Sequence, residues 1–509
     1  MTVTVQEIER KYEVPGDGAP PVLTGVAGIA GETETATVVL EAIYYDTDDL
    51  RLLGDGVTLR RRSGGEDAGW HLKLPAGRDT REEVRLPPDA SGDEVPTELA
   101  ELVRARTRGR VLGPVVRMHT VRHRRRLLDA RRRTLAELAT DQVTAQTLDR
   151  AADDASWREI EVELVTGGRD VLHAIDARLR ESGARPAEQA SKLARVLGDR
   201  LPVRTEPRPL TADSPAGDVV LAYLTAQARA IAAVDPKVRR DAPDAVHQLR
   251  VALRRTRSTF RTYGRLLDRE RTRPLGDELS WLAGTLAGMR DGEVLAGLLR
   301  DGLAGLAAGP DGDLVTAQMA ARIDAHFART LAEARTAALH QLNGRRYFTI
   351  LDDLDALLAD PPLRGRAARP AGQVLPVLVG RAYDRLATAV ARIEKAPDAA
   401  AADLATHEAR KCAKRARYAA EAAEPVLGKD AGRLVKRMRR LQDVLGEHQD
   451  AVVARTRIRE IAAEAHAAGE DTFAYGLLYD RARDRALAIR HDLAGAWRHA
   501  DRRHPWATG

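Results

Sequence analysis

Cysteine, aromatic residues and long apolar runs are what this chain most lacks. Only one of its 509 residues is cysteine, Cys412. No disulfide can close within the chain and no thiolate cluster can bind a metal, which suits a reducing compartment. Aromatic residues make up 4 %, leaving few faces on which the bases of a single-stranded nucleic acid could stack. Nucleic acid is therefore not expected as a partner. No run of 18 apolar residues occurs, and the opening MTVTVQEIERKYEV is too charged for the apolar core of a secretory signal. The expectation is a cytoplasmic protein with no membrane partner. GxSxG, HExxH and GxxxxGKS/T are also missing, so no nucleophile elbow, zincin helix or phosphate-binding P-loop is on offer.

What the chain has is charge. Charged residues are 31 % of it, 81 basic against 75 acidic, for a formal net charge of +6. With the total so nearly balanced, local clustering decides which partners are attracted. The length suggests two to four units at roughly 100–200 residues per domain. Up to about residue 200 the text reads as short alternating segments broken by turn residues, with helical inserts at VPTELAELVRAR and RDVLHAIDARLRESG. Beyond residue 215 it turns rich in Ala, Leu and Arg at helical spacing, as in VVLAYLTAQARAIAAV and VHQLRVALRRTRSTFRTYGRLL. Between them LPVRTEPRPLTADSPAG (201–217), with four prolines, reads as a linker. The fold class expected is α+β in two domains, residues 1–200 and 218–505.

In the first domain one side of each strand is charged. Glu7, Glu9 and Lys11 share a face, as do Arg60 with Arg62 and Arg122 with Arg124, while Lys73 lies opposite Trp70, Leu72 and Leu74. Glu159, Glu161 and Glu163 alternate with Ile160, Val162 and Leu164. A single strand of this kind reads most simply as a sheet that hides its apolar face and wets its charged one. Taken jointly, acid pairs near both ends of the domain and basic pairs between them point elsewhere. If the sheet closes, first and last strands meet and the carboxylates converge among arginines and lysines. Such a cavity suits a divalent cation and a phosphate chain, because each charge compensates another.

EIERK (7–11) resembles the ExExK signature of the CYTH superfamily, the triphosphate tunnel metalloenzymes, which include thiamine triphosphatases, inorganic triphosphatases and some adenylate cyclases. The resemblance continues in order through YYDT (44–47), LRRR (59–62), WHLKLP (70–75), REE (81–83), VRHR (121–124), ATDQV (139–143), EIEVEL (159–164) and SKL (191–193). It implies an eight-stranded antiparallel β tunnel using Mg²⁺ or Mn²⁺. Glu7, Glu9, Asp141, Glu161 and Glu163 look like metal ligands, and Lys11, Arg60, Arg62, Lys73, Arg122, Arg124 and Lys192 like triphosphate ligands. Arg85 is a further candidate, in a segment that offers several. The chemistry implied is metal-dependent hydrolysis of inorganic triphosphate. Thiamine triphosphate is an alternative whose recognition would rest on an aromatic such as Trp70 or Tyr45, and a cyclase would need an adenine site to which nothing points.

The second domain repeats itself. HQLRVALRRTR (247–257) and HEARKCAKRAR (407–417) match without gaps, and MRDGEV (289–294) echoes HQDAVV (448–453), aligning Asp291 with Asp450. At about 100° per residue, His247, Arg250, Arg254, Arg257 and Arg261 fall within an arc of roughly 80°. His407, Arg410, Lys414 and Arg417 fill the same arc, with Lys411 just beyond it. Arg433, Lys436, Arg437 and Arg440 form a further stripe on the next helix. Like charges this dense repel, by a few tenths of a kcal/mol per i,i+4 pair, and a polyanion without bases would relieve them. Asp291 and Asp450 are read either as orienting these bases or as part of the anion site.

This pattern resembles the CHAD domain, which implies an all-α pseudo-symmetric double helical bundle, with repeats at about 218–360 and 373–505, that binds polyphosphate. The partners expected are thus inorganic triphosphate and polyphosphate, with polyphosphate granules as a place of association. A competing reading is a non-catalytic protein that binds or localises polyphosphate.

Overall fold

The computed structural model describes residues 3–14, 20–77, 79–88, 92, 94–148, 154–201 and 208–501. The chain divides into two compact units, Met1–Glu206 and Pro207–Gly509. The division falls within the proline-rich stretch 201–217, of which residues 202–207 lie outside the described residues.

The first unit is built on β1 (Val3–Glu13), β2 (Gly31–Glu32), β3 (Ala36–Asp46), β4 (Thr58–Ser63), β5 (Gly69–Gly77), β6 (Thr80–Leu86), β7 (Gly113–Leu128), β8 (Thr134–Thr147), β9 (Asp154–Leu164) and β10 (Arg185–Pro186). Eight strands follow one another in the order β1-β6-β5-β4-β3-β7-β8-β9, all antiparallel, and β9 pairs again with β1. The closed eight-stranded barrel is the one the resemblance implies. Its seam is β1, whose residues Val3–Ile8 pair with β6 and whose residues Glu9–Glu13 pair with β9.

Burial of apolar side chains on the outside of this barrel decides which face looks inward. Leu59, Trp70, Leu72 and Val84 pack outward against α1 (Arg51–Gly54) and α2 (Thr97–Thr107) through Leu52, Leu99, Leu102 and Val103. Tyr12, Leu138, Ile160 and Val162 pack outward against Val171, Leu172, Ile175 and Leu179 of α3 (Arg169–Glu181). Each such side chain, fully buried, contributes about 1.5–3 kcal/mol. The charged faces are left with the lumen. At one end the lumen is filled in part by α4 (Lys192–Leu197), whose Leu193 and Leu197 join Tyr44, Val116, Val143 and Trp157 in an apolar cluster. The Ser191 hydroxyl accepts the Ala194 N–H and so starts this helix at Lys192.

The second unit is helical: α5 (Ala216–Arg239), α6 (Ala245–Thr262), α7 (Arg269–Thr285), α8 (Ala287–Ala307), α9 (Ala317–Leu342), α10 (Arg345–Ala359), α11 (Ala371–Glu394), α12 (Ala399–Ala467) and α13 (Phe473–Ala500). α5 and α11 are each 24 residues long and each follows a proline; these prolines, Pro215 and Pro370, pair in an isolated antiparallel bridge. By length and composition alone α5 could cross a membrane. Within this unit its Val219, Val220, Leu224 and Ile231 are buried, in packing against α6, α10 and α11.

The 69 residues of α12 are two helices joined across Gly428, which holds φ 58° and ψ −136°. Pro425 just before it takes away an intrahelical donor, so the break has two local causes. The first arm carries His407 to Arg417 and matches α6; the second carries Arg433 to Arg440 and Asp450 and matches α7 with α8. A β-carbon at Gly428 would meet no atom within 4 Å, so a substitution there changes backbone energy alone. Gly428→Ala is expected to destabilise the helical unit by about 1–3 kcal/mol, read as a lowered thermal midpoint. An unchanged midpoint would show that the kink survives without glycine.

Candidate functional site

Cross-strand partners share a face, as do residues two apart on one strand, so the register decides which side chains line the lumen. Around the barrel, Lys11 pairs with Glu161 and Glu9 with Glu163. Glu159 pairs with Asp141, and Asp141 in turn with Arg122. Across β3, Tyr44 pairs with Arg60 and Ala42 with Arg62. Arg60 then pairs with His71, Lys73 with Glu83, and Arg81 with Glu7, which returns to β1. One inward face thus holds Glu7, Glu9, Lys11, Arg60, Arg62, Lys73, Arg122, Arg124, Asp141, Glu161 and Glu163. Lys192 reaches the same space from α4.

Towards the end filled by α4, three carboxylates stand together: oxygens of Asp141, Glu159 and Glu161 all lie within 4.8 Å of one another. Lys192 Nζ sits among them, 2.9 Å from Asp141 Oδ2 and 2.6 Å from both Glu159 Oε1 and Glu161 Oε1. Far from being a solvated helix residue, Lys192 is buried. Lys11 Nζ lies 2.5 Å from Glu161 Oε1. Arg122 donates to both oxygens of Asp141, at 2.8 and 2.7 Å, and also to Glu161. Trp157 Nε1 donates to Glu159 at 2.7 Å.

A second group surrounds Glu7, whose carboxylate is 2.5 Å from Lys73 Nζ and 3.0 Å from Arg85. Glu83 joins it, accepting from Arg85 Nε and lying 2.9 Å from the buried His71 Nδ1. Nearer the rim, Arg62 pairs with Asp67, and Arg124 with Glu66 at 2.9 Å. The Arg85 side chain is about one third exposed there.

Burial and neighbouring charge set the protonation of these groups in opposite directions. Burial alone would raise Glu161, but Lys11, Lys192 and Arg122 outweigh it and hold the carboxyl well below its usual range. Burial is likewise outweighed at Glu9 by Lys11 and Lys73, which bring it to about 2. Glu163 and Glu7 go the other way: burial, then repulsion from Glu7, lifts Glu163 to about 7, and at Glu7 burial outweighs Lys73 and raises the carboxyl. Arg62 is pushed down to about 9 by burial and by Arg60 and Arg122. The lumen therefore carries an acidic excess around Glu163 and a basic excess around Arg62.

Four lumen residues had been given no ligand role from the sequence: Glu159, Glu83, His71 and Arg81. Each shares strand parity with a residue that had, so alternation was the available signal. Trp70 and Tyr45, suggested as aromatics for an organic substituent, are turned outward into the core beneath α1 and α2.

In the helical unit the two repeats bring their bases together. Arg250 of α6 pairs with Asp291 at 2.9 Å and donates to Ala287 O at 3.0 Å. The Lys414 ammonium is pushed down to about 7 by burial and then by Arg410, Arg254, Arg250 and Arg417. Arg410 is lowered by burial and by Arg254, against Asp450 and Asp291. The Nε atoms of Arg254 and Arg410 are buried without a hydrogen-bond partner. Arg417 is turned to Glu421 at 3.1 Å, and His407 Nδ1 faces Gln449 Oε1 at 2.7 Å. His247 is lowered by burial and by Arg290.

Other expected bases stand apart from this cluster. Arg257 is lowered by burial and by Arg261, Lys411 is exposed and paired with Glu408 at 2.7 Å, and Arg433 is exposed on Asp430 at 2.9 Å. Arg437 acts on Tyr383 of α11, and Lys436 and Arg440 are exposed on the second arm of α12. Asp291 and Asp450 sit against the clustered bases, Asp291 on Arg250 and Asp450 near Arg410 and Lys414.

Comparison with known proteins agrees with both halves. A CYTH domain model matches residues 5–195 and a CHAD domain model residues 222–459. Two Mycobacterium tuberculosis proteins, the uncharacterized proteins MT2285 of strain CDC 1551 / Oshkosh and Rv2226 of strain H37Rv, are each 38 % identical over 97 % of this chain and 96 % of their own length. Among solved structures, PptA from Streptomyces chartreusis shows 28 % identity, covers 56 % of this chain and all of its own, and has a TM-score of 0.48. The CHAD domain of the plant Ricinus communis shows 23 % identity, covers 60 % of this chain and 98 % of its own, and has a TM-score of 0.46. CYTH domains belong to triphosphatases and cyclases that depend on divalent metal ions, and the acid cluster of Asp141, Glu159 and Glu161 has the hard oxygen donors such an ion takes. The chain belongs to the CYTH–CHAD family, a CYTH tunnel domain of triphosphate chemistry joined to a CHAD domain.

Proposed function

We propose that the barrel hydrolyses inorganic triphosphate with Mg²⁺ or Mn²⁺ and that the helical unit binds longer polyphosphate. The choice of an inorganic substrate is carried by the placement of the aromatics. Trp70 and Tyr45 face away from the lumen. The inward aromatics Tyr44 and Trp157 are packed around α4 and hydrogen-bonded to Arg60 and Glu159. What is left around the charged segment is guanidinium, ammonium and carboxylate, which suits a bare phosphate chain rather than thiamine or adenine.

The carboxylates of Asp141, Glu159 and Glu161, with Glu7, Glu9 and Glu163 along the same wall, would hold the divalent ion. When bound, the ion supplies charge neutralisation and lowers the pKa of its water. Arg60, Arg62, Arg122, Arg124 and Lys73 bind the non-bridging phosphate oxygens and stabilise charge as it moves to the leaving oxygen. Water forms the new P–O bond and the bridging P–O bond breaks, its electron pair staying on the released diphosphate. One water proton ends on orthophosphate and the other on diphosphate, so no side-chain nucleophile is required.

In the helical unit, Arg250, Arg254, Arg410 and Lys414 are a cation cluster that the protein itself only partly neutralises. A polyanion laid along it removes the repulsion that their own fold imposes.

Phosphate release from inorganic triphosphate, with thiamine triphosphate and ATP alongside, is expected to be selective for the inorganic chain and to stop in EDTA. Glu161→Ala is expected to reduce it by at least about 100-fold while leaving polyphosphate binding intact. Release undiminished in this variant would remove the metal-site assignment, and no release from any substrate by the wild-type protein would favour a binding protein.

Polyphosphate titration tests the other unit. Arg250→Ala with Arg410→Ala is expected to weaken affinity by about tenfold or more and to reduce its salt dependence. Because free Lys414 holds its proton only below about 7, binding should take up a proton. Affinity should then rise by up to about tenfold per unit as pH falls from roughly 9 to 7, and level off below. A flat profile would exclude Lys414 from the contact.

A further inference from the structure

We propose that Lys192 is the resident counter-ion of Asp141, Glu159 and Glu161, and that a divalent cation binds there by displacing it. The inference rests on the metal-dependent reading above and concerns how the ion gains its place. The three carboxylates whose oxygens gather within 4.8 Å of one another are the same three that surround Lys192 Nζ at 2.9, 2.6 and 2.6 Å. Mg²⁺ takes oxygen ligands at about 2.0–2.1 Å, so an ion shared by these groups needs the point where the ammonium stands. A monovalent and a divalent cation at that spacing repel strongly in a buried site, and one must leave.

The local architecture lets the ammonium leave without dismantling the site. Arg122 grips Asp141 through two hydrogen bonds and Glu161 through another, and Lys11 holds Glu161 at 2.5 Å. Glu159 keeps its bond from Trp157. The ligands thus stay gathered when one cation is withdrawn. Lys192 stands at the first turn of α4, a helix of six residues, on a flexible four-carbon stem that can swing its charge away while the backbone stays anchored through Leu193 and Leu197. A phosphate oxygen held in the lumen beside the three carboxylates would receive it. In this account Lys192 becomes a phosphate ligand only after the exchange, and loading of metal and seating of substrate are coupled through one side chain.

The test is direct metal binding by the full chain without phosphate, with free Mn²⁺ followed by electron paramagnetic resonance. Lys192→Met is expected to bind Mn²⁺ at least about tenfold more tightly than wild type; equal or weaker binding would overturn the proposal. Should the variant fail to fold, the wild-type protein answers alone. Acetic anhydride labelling of Lys192, read by mass spectrometry, should rise when Mg²⁺ saturates the site, and labelling unchanged by bound Mg²⁺ would overturn the exchange. Absence of metal binding in both wild type and a folded Lys192→Met would overturn the metal-dependent reading and the exchange with it, whereas binding without exchange sinks the exchange alone.

Discussion

A carboxylate taken out of water costs several kcal/mol unless a cation stands beside it, and the barrel is organised around that constraint. Its apolar side chains pack on the outside, under α1, α2 and α3, and around α4 at one end, so the rest of the inner face is polar. Asp141 shows the consequence most sharply: it is fully buried, yet Lys192 and the Arg122 guanidinium hold it below its usual range against that burial. Glu161 is compensated by three cations at once. At Glu163 burial and repulsion from Glu7 outweigh the pull of Lys73, and its carboxyl rises accordingly. A site of this kind cannot simply lose a charge. It can exchange one for another, and a metal ion with a phosphate chain is an exchange that leaves the sum nearly balanced.

The helical unit solves the opposite problem. Nothing forces Arg254, Arg410 and Lys414 together except the fold, and the fold brings them together from two repeats. Burial and mutual repulsion depress Lys414 and Arg410, while Asp291 and Asp450 neutralise only part of the total. Buried guanidinium nitrogens without partners are costly, and stability is given up to keep them poised. A binding surface that is destabilised by its own charge gains affinity from the relief of that charge. The same residues placed singly on an exposed helix, as Lys411 and Arg433 are, find a local carboxylate and have little to offer a ligand.

The parts of this that could be read from sequence are those that depend on short-range periodicity. Alternation placed Glu7, Glu9 and Lys11 on one face and Trp70, Leu72 and Leu74 on the other, and helical spacing aligned His247 with Arg250 and Arg254. The meaning of the alternation was less accessible, because a solvated face and a sealed lumen have the same pattern. Only the pairing of Glu9–Glu13 with β9 distinguishes them, and that contact joins residues about 150 positions apart. Lys192 was legible as a phosphate ligand by resemblance; its place among three carboxylates depends on where α4 docks, which no local pattern encodes. Glu83 and Glu159 were passed over although they share parity with Lys73's partners and with Glu161. The stripe Arg433–Arg440 was legible as basic, but the kink at Gly428 turns its arm to a different surface.

Both units are incompletely neutralised, and they differ in which sign is left over and how deep it lies. In the lumen, acids and bases are paired closely, and on the proposed reading a ligand has to displace an internal partner before it can be held. Selectivity follows from that, since only a species bringing both a divalent cation and a compact array of anionic oxygens repairs every pair it breaks. At the base cluster of the helical unit fewer partners have to be displaced on the same reading, so a chain of closely spaced negative charges would gain on arrival and length would add contacts. A discriminating pocket and a tolerant track would then come from one physical rule applied at two depths of burial.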